Sequence, residues 1–332
     1  MSSSLFERLA LVLQNYPAPC RPIGPLNPLG NAGGLSGANL VAFDATCGRL
    51  VMRIWPPGIQ PRRLDRIHQW VLAFGDRLAV AAVPMRTRSS NTFVELSGRL
   101  YQLEPWKPGK AIGESPASTA CRAVSASLAC LHQELSTERT FQPSPGLEHR
   151  LKALVKLKDG ELDELSSALE PRCGEPVTQL AREWVTYARR SLGIVLSNLS
   201  GTVPNARLLQ PCLRDCRADH WLFQNDELTG LIDFGAMDVD SVAFDLARLR
   251  LDWWPDSCAN AEQLIQAYEE STRLDDSNRA LIPVIEQSTA VLAGANWVRW
   301  GFVEQKEFEA RDAVEAGLSR SLRWMRSRIP GI

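Results

Sequence analysis

The sequence predicts an α+β protein in two lobes, a small β-rich one followed by a larger helical one. Three observations carry this. Residues 33–106 are rich in short β-type runs, long amphipathic patterns of helical period dominate from Ser115 onward, and a β-type stretch at 206–233 interrupts those patterns once. The change of pattern after Trp106 divides the chain into lobes 1–106 and 107–332.

In chain order, MSSSLFERLALVLQNYP reads as a short amphipathic helix, because its apolar run after Glu7 and Arg8 is too short and too acidic at its start for a secretory signal. LSGANLVAF (35–43) and RLVMRIW (49–55), joined by DATCG, read as a hairpin. A helix from Arg62 to Phe74 follows, and then AVAAVPM (79–85), NTFVEL (91–96) and RLYQLEPW (99–106) read as three more strands. Ser115 and Pro116 supply an N-cap and a first-turn proline for a helix to about Leu135, with Leu128 and Leu131 on its apolar side. Further helical patterns cover 147–158, 177–192, 241–251, 259–272, 279–303 and 305–328. The insert ARLLQPCLRD and WLFQNDELTGLIDF lies between the second and third of these, with Asn225-Asp226 as its turn.

With 332 residues, 45% hydrophobic and 23% charged, the chain has apolar material for a large core. A net charge of −1 offers no basic field for nucleic acid or an anionic membrane, so a small-molecule partner is expected. No stretch approaches the roughly 18 apolar residues of a membrane span. A cytoplasmic protein, monomer or homodimer, is expected. The eight cysteines, at 20, 47, 121, 130, 173, 212, 216 and 258, form no C-x-x-C pair and read as free thiols. Cys212 and Cys216 flank the most informative segment, but Leu213 to Asp215 between them do not make a zinc knuckle.

That segment, residues 212–249, sets Asp215 after the strand LLQPCL and Asp233 at the close of TGLI. If 221–224 and 228–232 pair as a hairpin, both carboxylates can face one cleft. Phosphoryl transfer needs one carboxylate near the accepting hydroxyl and another on the magnesium that neutralises the β- and γ-phosphates. The plainer alternative is a pair of turn aspartates.

The segment resembles the H-x-D-x-x-x-x-N … I-D-F/W-G … D-L-A signature of the aminoglycoside phosphotransferase family, akin to choline kinases, in LRD (213–215), IDFG (232–235) and FDLA (244–247). The resemblance implies a protein-kinase-like fold, with Asp215 as catalytic base, Asp233 as magnesium ligand and Asp245 bracing the loop. It makes GGLSGANL (33–40), with Gly34, Ser36 and Gly37, the turn over the phosphates, and sets Arg53 in VMRIW where the family carries a phosphate-pairing lysine. It makes LEPWKPG (103–109) the hinge between lobes, with Glu104 and Trp106 lining the nucleotide base. Asp65 would either pair with Arg53 or lie solvated on its helix.

The departures concentrate behind Asp215. His220 stands where the family has a second metal-binding asparagine and could ligate the metal through a ring nitrogen, shuttle protons or brace the loop, while Asp219 beside it could supply an oxygen. Leu213 and Arg214 replace the family's residues before the aspartate. Trp253, Trp254, Trp297 and Trp300 could stack on a cationic acceptor or pack in the core. The expectation is a kinase using ATP and Mg2+ to phosphorylate a small hydroxyl-bearing acceptor of aminoglycoside, choline or amino-alcohol type. A catalytically impaired, nucleotide-binding regulatory protein is the alternative.

Overall fold

The computed structural model describes residues 3–31, 39–170, 175–308, 310 and 312–331. Its chain forms two compact units, 1–111 with 219–237 and 112–218 with 238–332. The single cut expected at 106 therefore differs from the observed division, because 219–237 returns to the first unit. Backbone pairing is the reason, as that returning segment forms a sheet with the last strand of the first unit.

In the first unit, α1 (Ser3–Leu13) precedes β1 (Asn27–Asn31), β2 (Asn39–Ala45), β3 (Gly48–Ile54), α2 (Pro61–Gly75), β4 (Val94–Leu96) and β5 (Arg99–Pro105). The strands form an antiparallel sheet in the order β1-β2-β3-β5-β4. AVAAVPM, expected as a strand, contributes only a bridge from Ala81 to Leu231, since its alanines have weak β-propensity and Pro84 lacks a ladder donor. The strand NPLGN was not foreseen, because proline and glycine mask its pattern.

The period of two sorts the sheet into two faces. Leu50, Met52 and Ile54 of β3 join Tyr101, Leu103 and the α1 residues Leu9, Val12 and Leu13 in one cluster. Trp55 and Leu100 meet Leu64 of α2 in another. Arg53 alternates with the first set and lies opposite Gln102 of β5. A second sheet, in the order β10-β9-β6, contains β6 (Lys110–Ala111), β9 (Trp221–Gln224) and β10 (Glu227–Leu231). Asn225 and Asp226 take φ of 51° and 63°, the two positive values that a tight I′ hairpin turn requires. Gly109, at φ 116°, cannot be replaced freely because a Cβ there would lie 2.6 Å from the Phe223 carbonyl oxygen.

The second unit contains α3 (Ser118–Glu134), β7 (Thr140–Gln142), α4 (Pro145–Lys156), α5 (Leu162–Ser167), α6 (Pro176–Ser200) and β8 (Arg207–Cys212). After β11 (Asp238–Asp240) come α7 (Ala243–Trp253), α8 (Cys258–Glu269), α9 (Asp276–Val298) and α10 (Ala313–Arg328). α3 begins later than expected, with Ala117 at its cap and Ser115 at φ 53°. Side chains that do cap are Ser144 on α4, Ser257 on α8 and Asp275 on α9. α9 packs on α6, α7 and α10 around buried Trp184, Leu249, Ile285, Leu318 and Trp324. Gly294 lets α9 approach the Trp184 indole more closely than any side chain would permit. Trp253 and Trp254 are core residues packed edge to face, while Trp297 and Trp300 pack on each other and on Phe308.

None of the seven described cysteines forms a disulfide, and Cys173 lies outside the described residues. Among the described residues no helix is long and apolar enough to cross a membrane.

Candidate active site

Alternation along β3 and β5 brings Arg53, Gln102 and Glu104 to one face of the sheet, beside His68 of α2. Arg53 Nη1 is 3.2 Å from Asp233 Oδ1, and its Nη2 is 3.5 Å from Glu104 Oε1. Gln102 donates to Glu104 Oε2 at 2.6 Å and its carbonyl accepts from Trp55 Nε1 at 3.1 Å. His68 lies 2.9 Å from that same Gln102 oxygen and 2.7 Å from Thr92 Oγ1. The free space among these groups is only about 10 Å³. Desolvation pulls Arg53 down, but the charges of Glu104 and Asp233 outweigh it and hold the guanidinium above its usual range. Burial pushes Glu104 up, with Asp233 adding to the effect, and pushes His68 down to about 4.

Glu104 is thus a buried partner of Arg53, whereas the sequence placed it at a nucleotide base. Asp65 is exposed on α2, the solvated alternative, and the acids that Arg53 meets are Glu104 and Asp233. Trp106 follows β5 with the Arg49 guanidinium 4.3 Å from its ring centroid. Gly34, Ser36 and Gly37 lie outside the described residues.

Asp233 sits at φ 63°, in the left-handed region where aspartate is tolerated better than bulkier residues. Its Oδ1 also accepts from Gly235 N at 3.4 Å, which closes a tight turn after β10. His220 Nε2 lies 3.9 Å from Asp233 Oδ2 and 3.8 Å from Asp219 Oδ1, so these three residues share one region of the first unit. Among the described residues no cluster of three or more histidine, cysteine or carboxylate groups is arranged to enclose a metal. The donor set still fits a magnesium ion that takes few protein ligands and completes its shell with phosphate oxygens and water. Two carboxylates, Glu104 and Asp233, share the Arg53 guanidinium, which leaves one negative charge for a cation to neutralise.

Asp215 lies in the second unit, three residues beyond β8, and is half-buried. Its loop is held from behind. The fully buried Asp245 carboxylate accepts from Leu213 N at 2.8 Å and Arg214 N at 2.7 Å, and lies 3.0 Å from His132 Nε2. His132 Nδ1 lies in turn 2.9 Å from the Tyr268 hydroxyl. Arg214 takes φ 64°, an uncommon value for a long side chain, and its guanidinium is 2.8 Å from Asp240 Oδ2. Asp240 is buried and also accepts from Gly146 N at 2.9 Å. Among the described residues of this unit nothing hydrogen-bonds or ion-pairs with the Asp215 carboxylate. The brace fixes the backbone and leaves that carboxylate available to accept a proton.

Sequence reasoning missed His132, which lies 113 positions from Asp245. Gln102 was also missed, though two polar residues at alternate positions of an otherwise apolar strand could have marked it.

The model of the phosphotransferase enzyme family matches residues 30–280. A homoserine kinase of Methylobacterium nodulans is 24% identical over 278 residues, which cover 81% of this chain and 78% of that protein. An aminoglycoside phosphotransferase structure from Alicyclobacillus acidocaldarius superposes with a TM-score of 0.67 at 14% identity, covering 96% of this chain and 92% of that one. An amicoumacin kinase solved with AMP-PNP and Ca2+ superposes with a TM-score of 0.64 at 13% identity, covering 99% and 95%. A microcompartment-associated aminopropanol kinase gives 0.60 at 16% identity, covering 97% and 95%. These structures share the kinase-like α+β fold.

Proposed function

The chain belongs to the phosphotransferase enzyme family and is a small-molecule phosphotransferase, and we propose that it moves the γ-phosphoryl of ATP to an acceptor hydroxyl with Asp215 as base. The observation that carries this reading is the Asp245 brace, which fixes the loop backbone at Leu213 and Arg214, while among the described residues of the second unit nothing bonds to the neighbouring Asp215 carboxylate. Such a carboxylate accepts the hydroxyl proton as the acceptor oxygen bonds to the γ-phosphorus. The bond to the β,γ-bridging oxygen breaks, and ADP leaves.

Asp233 would hold magnesium, with Asp219 as a further oxygen and His220 steering the carboxylate. The ion supplies neutralisation of the β- and γ-phosphates. Arg53, buried between Glu104 and Asp233, is first a positioning residue that fixes the magnesium-binding carboxylate, and it adds positive charge behind the phosphates. Trp106 would border the base, and Gly34, Ser36 and Gly37 would cover the phosphates. The family relationship and the named relatives support small alcohols as acceptors.

The test is ADP release by the full chain with magnesium and a panel of L-homoserine, 1-amino-2-propanol, choline and kanamycin, with mass detection of the phosphorylated product. Transfer to at least one acceptor is expected. Nucleotide binding without transfer to any acceptor would favour the impaired, regulatory alternative.

A further inference from the structure

A cavity of about 490 Å³ lies wholly within the second unit, and Arg214, the neighbour of Asp215, is in its wall. Among the described residues its wall holds five cationic side chains, Arg150, Lys156, Arg214, Arg248 and Arg299, against the single carboxylate of Glu161. Four of the five have an acidic partner. Lys156 and Arg299 share Glu161 at 2.9 and 2.7 Å, Arg214 has Asp240 at 2.8 Å, and Arg248 has Asp252 at 3.4 Å.

Arg150 differs. Among the described residues no carboxylate lies within ion-pair distance of it, and its guanidinium donates only through Nη1, to Thr289 Oγ1 at 2.9 Å and Ser288 Oγ at 3.3 Å. It lies 5.1 Å from the Phe244 ring centroid, and Arg214 lies 5.2 Å from the same centroid. Two guanidinium groups thus converge on one aromatic ring. Burial, followed by the charges of Arg214 and Arg248, pushes Arg150 down to about 10, against the opposing pull of Asp240. Holding like charges together is unfavourable unless something neutralises them, and a planar guanidinium fork with free donors matches the geometry of a carboxylate or phosphate.

We infer that this cavity binds the acceptor through an oxyanion, so that the preferred acceptor is a hydroxyl compound carrying a carboxylate or a phosphate. Arg150 is its principal contact, with Arg214 and Arg248 as flanking charge. Among the described residues no tryptophan borders the cavity to form an aromatic cage, and a polycationic acceptor would meet like charge. The word acceptor rests on the phosphotransferase reading, whereas the charge preference rests on the cavity alone.

The test uses the full chain without nucleotide and three matched probes, D-glycerate, sn-glycerol 3-phosphate and glycerol, with 1-amino-2-propanol as the cation. Calorimetry should show at least one of the two oxyanions binding about tenfold or more tighter than glycerol and the amine, a fold-change that added salt reduces. Which of the two binds better decides between carboxylate and phosphate. Arg150→Gln should remove the preference and Arg150→Lys should restore part of it, with the melting temperature near that of the parent. Equal binding of oxyanions, glycerol and amine, or a preference untouched in Arg150→Gln, overturns the inference. The kinase reading fails separately, if oxyanions bind at Arg150 yet magnesium-ATP yields no phosphorylated product with any acceptor. Transfer to an amine acceptor at a rate unaffected in Arg150→Gln leaves that reading standing and overturns this one.

Discussion

The polar cluster around Arg53 and the cavity around Arg150 are both built from buried or half-buried charge, yet they treat it in opposite ways. Around Arg53, Glu104 and Asp233 sit against the guanidinium, Gln102 and His68 complete the bonding, and about 10 Å³ of space remains. Around Arg150 the neighbouring charges repel, the direct bonds go to hydroxyls, and about 490 Å³ is left open. The first arrangement spends its charge on holding a carboxylate still. The second leaves positive charge for a ligand to neutralise. An arginine count cannot separate these two uses, because the difference lies in what occupies the other side of each guanidinium.

Four measurements test this contrast. The largest effect is expected at Asp215, whose loop adjoins the basic cavity. Asp215→Asn should reduce turnover by about 10²- to 10⁴-fold, the usual contribution of a positioned general base, while ATP and oxyanion binding persist. Turnover close to wild type in a steady-state assay would remove Asp215 from the chemistry.

Next in size is the loss of a charge from the paired cluster. Arg53→Met leaves Glu104 and Asp233 facing each other without a cation, and breaking such a buried pair costs about 3–5 kcal/mol. A urea denaturation midpoint well below that of the parent is expected, and adding Glu104→Gln should recover part of the loss. If Arg53→Met melts like the parent, the cluster is not held by this charge.

A smaller effect belongs to His68, buried between Thr92 and Gln102 with its pKa pushed down to about 4. The folded state keeps this imidazole neutral, whereas the unfolded chain protonates it near the ordinary pH 6.5. Its contribution is therefore fully present above about pH 6.5 and is lost progressively as pH falls toward 4, by up to roughly 3 kcal/mol. His68→Gln should flatten that part of the stability–pH curve relative to the parent. Parallel curves for the two proteins would show that the imidazole is already exchanging protons in the folded state.

The smallest effect should come from Arg150→Gln without ligand. Losing the bonds to Ser288 and Thr289 opposes relief of repulsion from Arg214 and Arg248, so the change in stability should stay within about 0.5 kcal/mol. A destabilisation as large as that of Arg53→Met would mean that Arg150 is a structural residue and would erase the distinction between the two regions.

The fold class, the helices of the second unit other than α5 and the β9–β10 hairpin were legible in the sequence. Those features are local, since helical and strand periods and the positive-φ preference of Asn225-Asp226 act over a few residues. The sequence also singled out the acids proposed for the chemistry, Asp215 and Asp233, because LRD, IDFG and FDLA lie within one short stretch. What surrounds them came from packing between segments distant in the chain. It sent 219–237 back to the first unit, set Glu104 against Arg53, and set His132 behind Asp245. It also gathered the five cations of the described wall from α4, α7, the residue after α9 and the Asp215 loop around one open space. Charges distant in sequence meet only when helices and strands pack, and no periodic pattern records whether an arginine will face a carboxylate or another arginine.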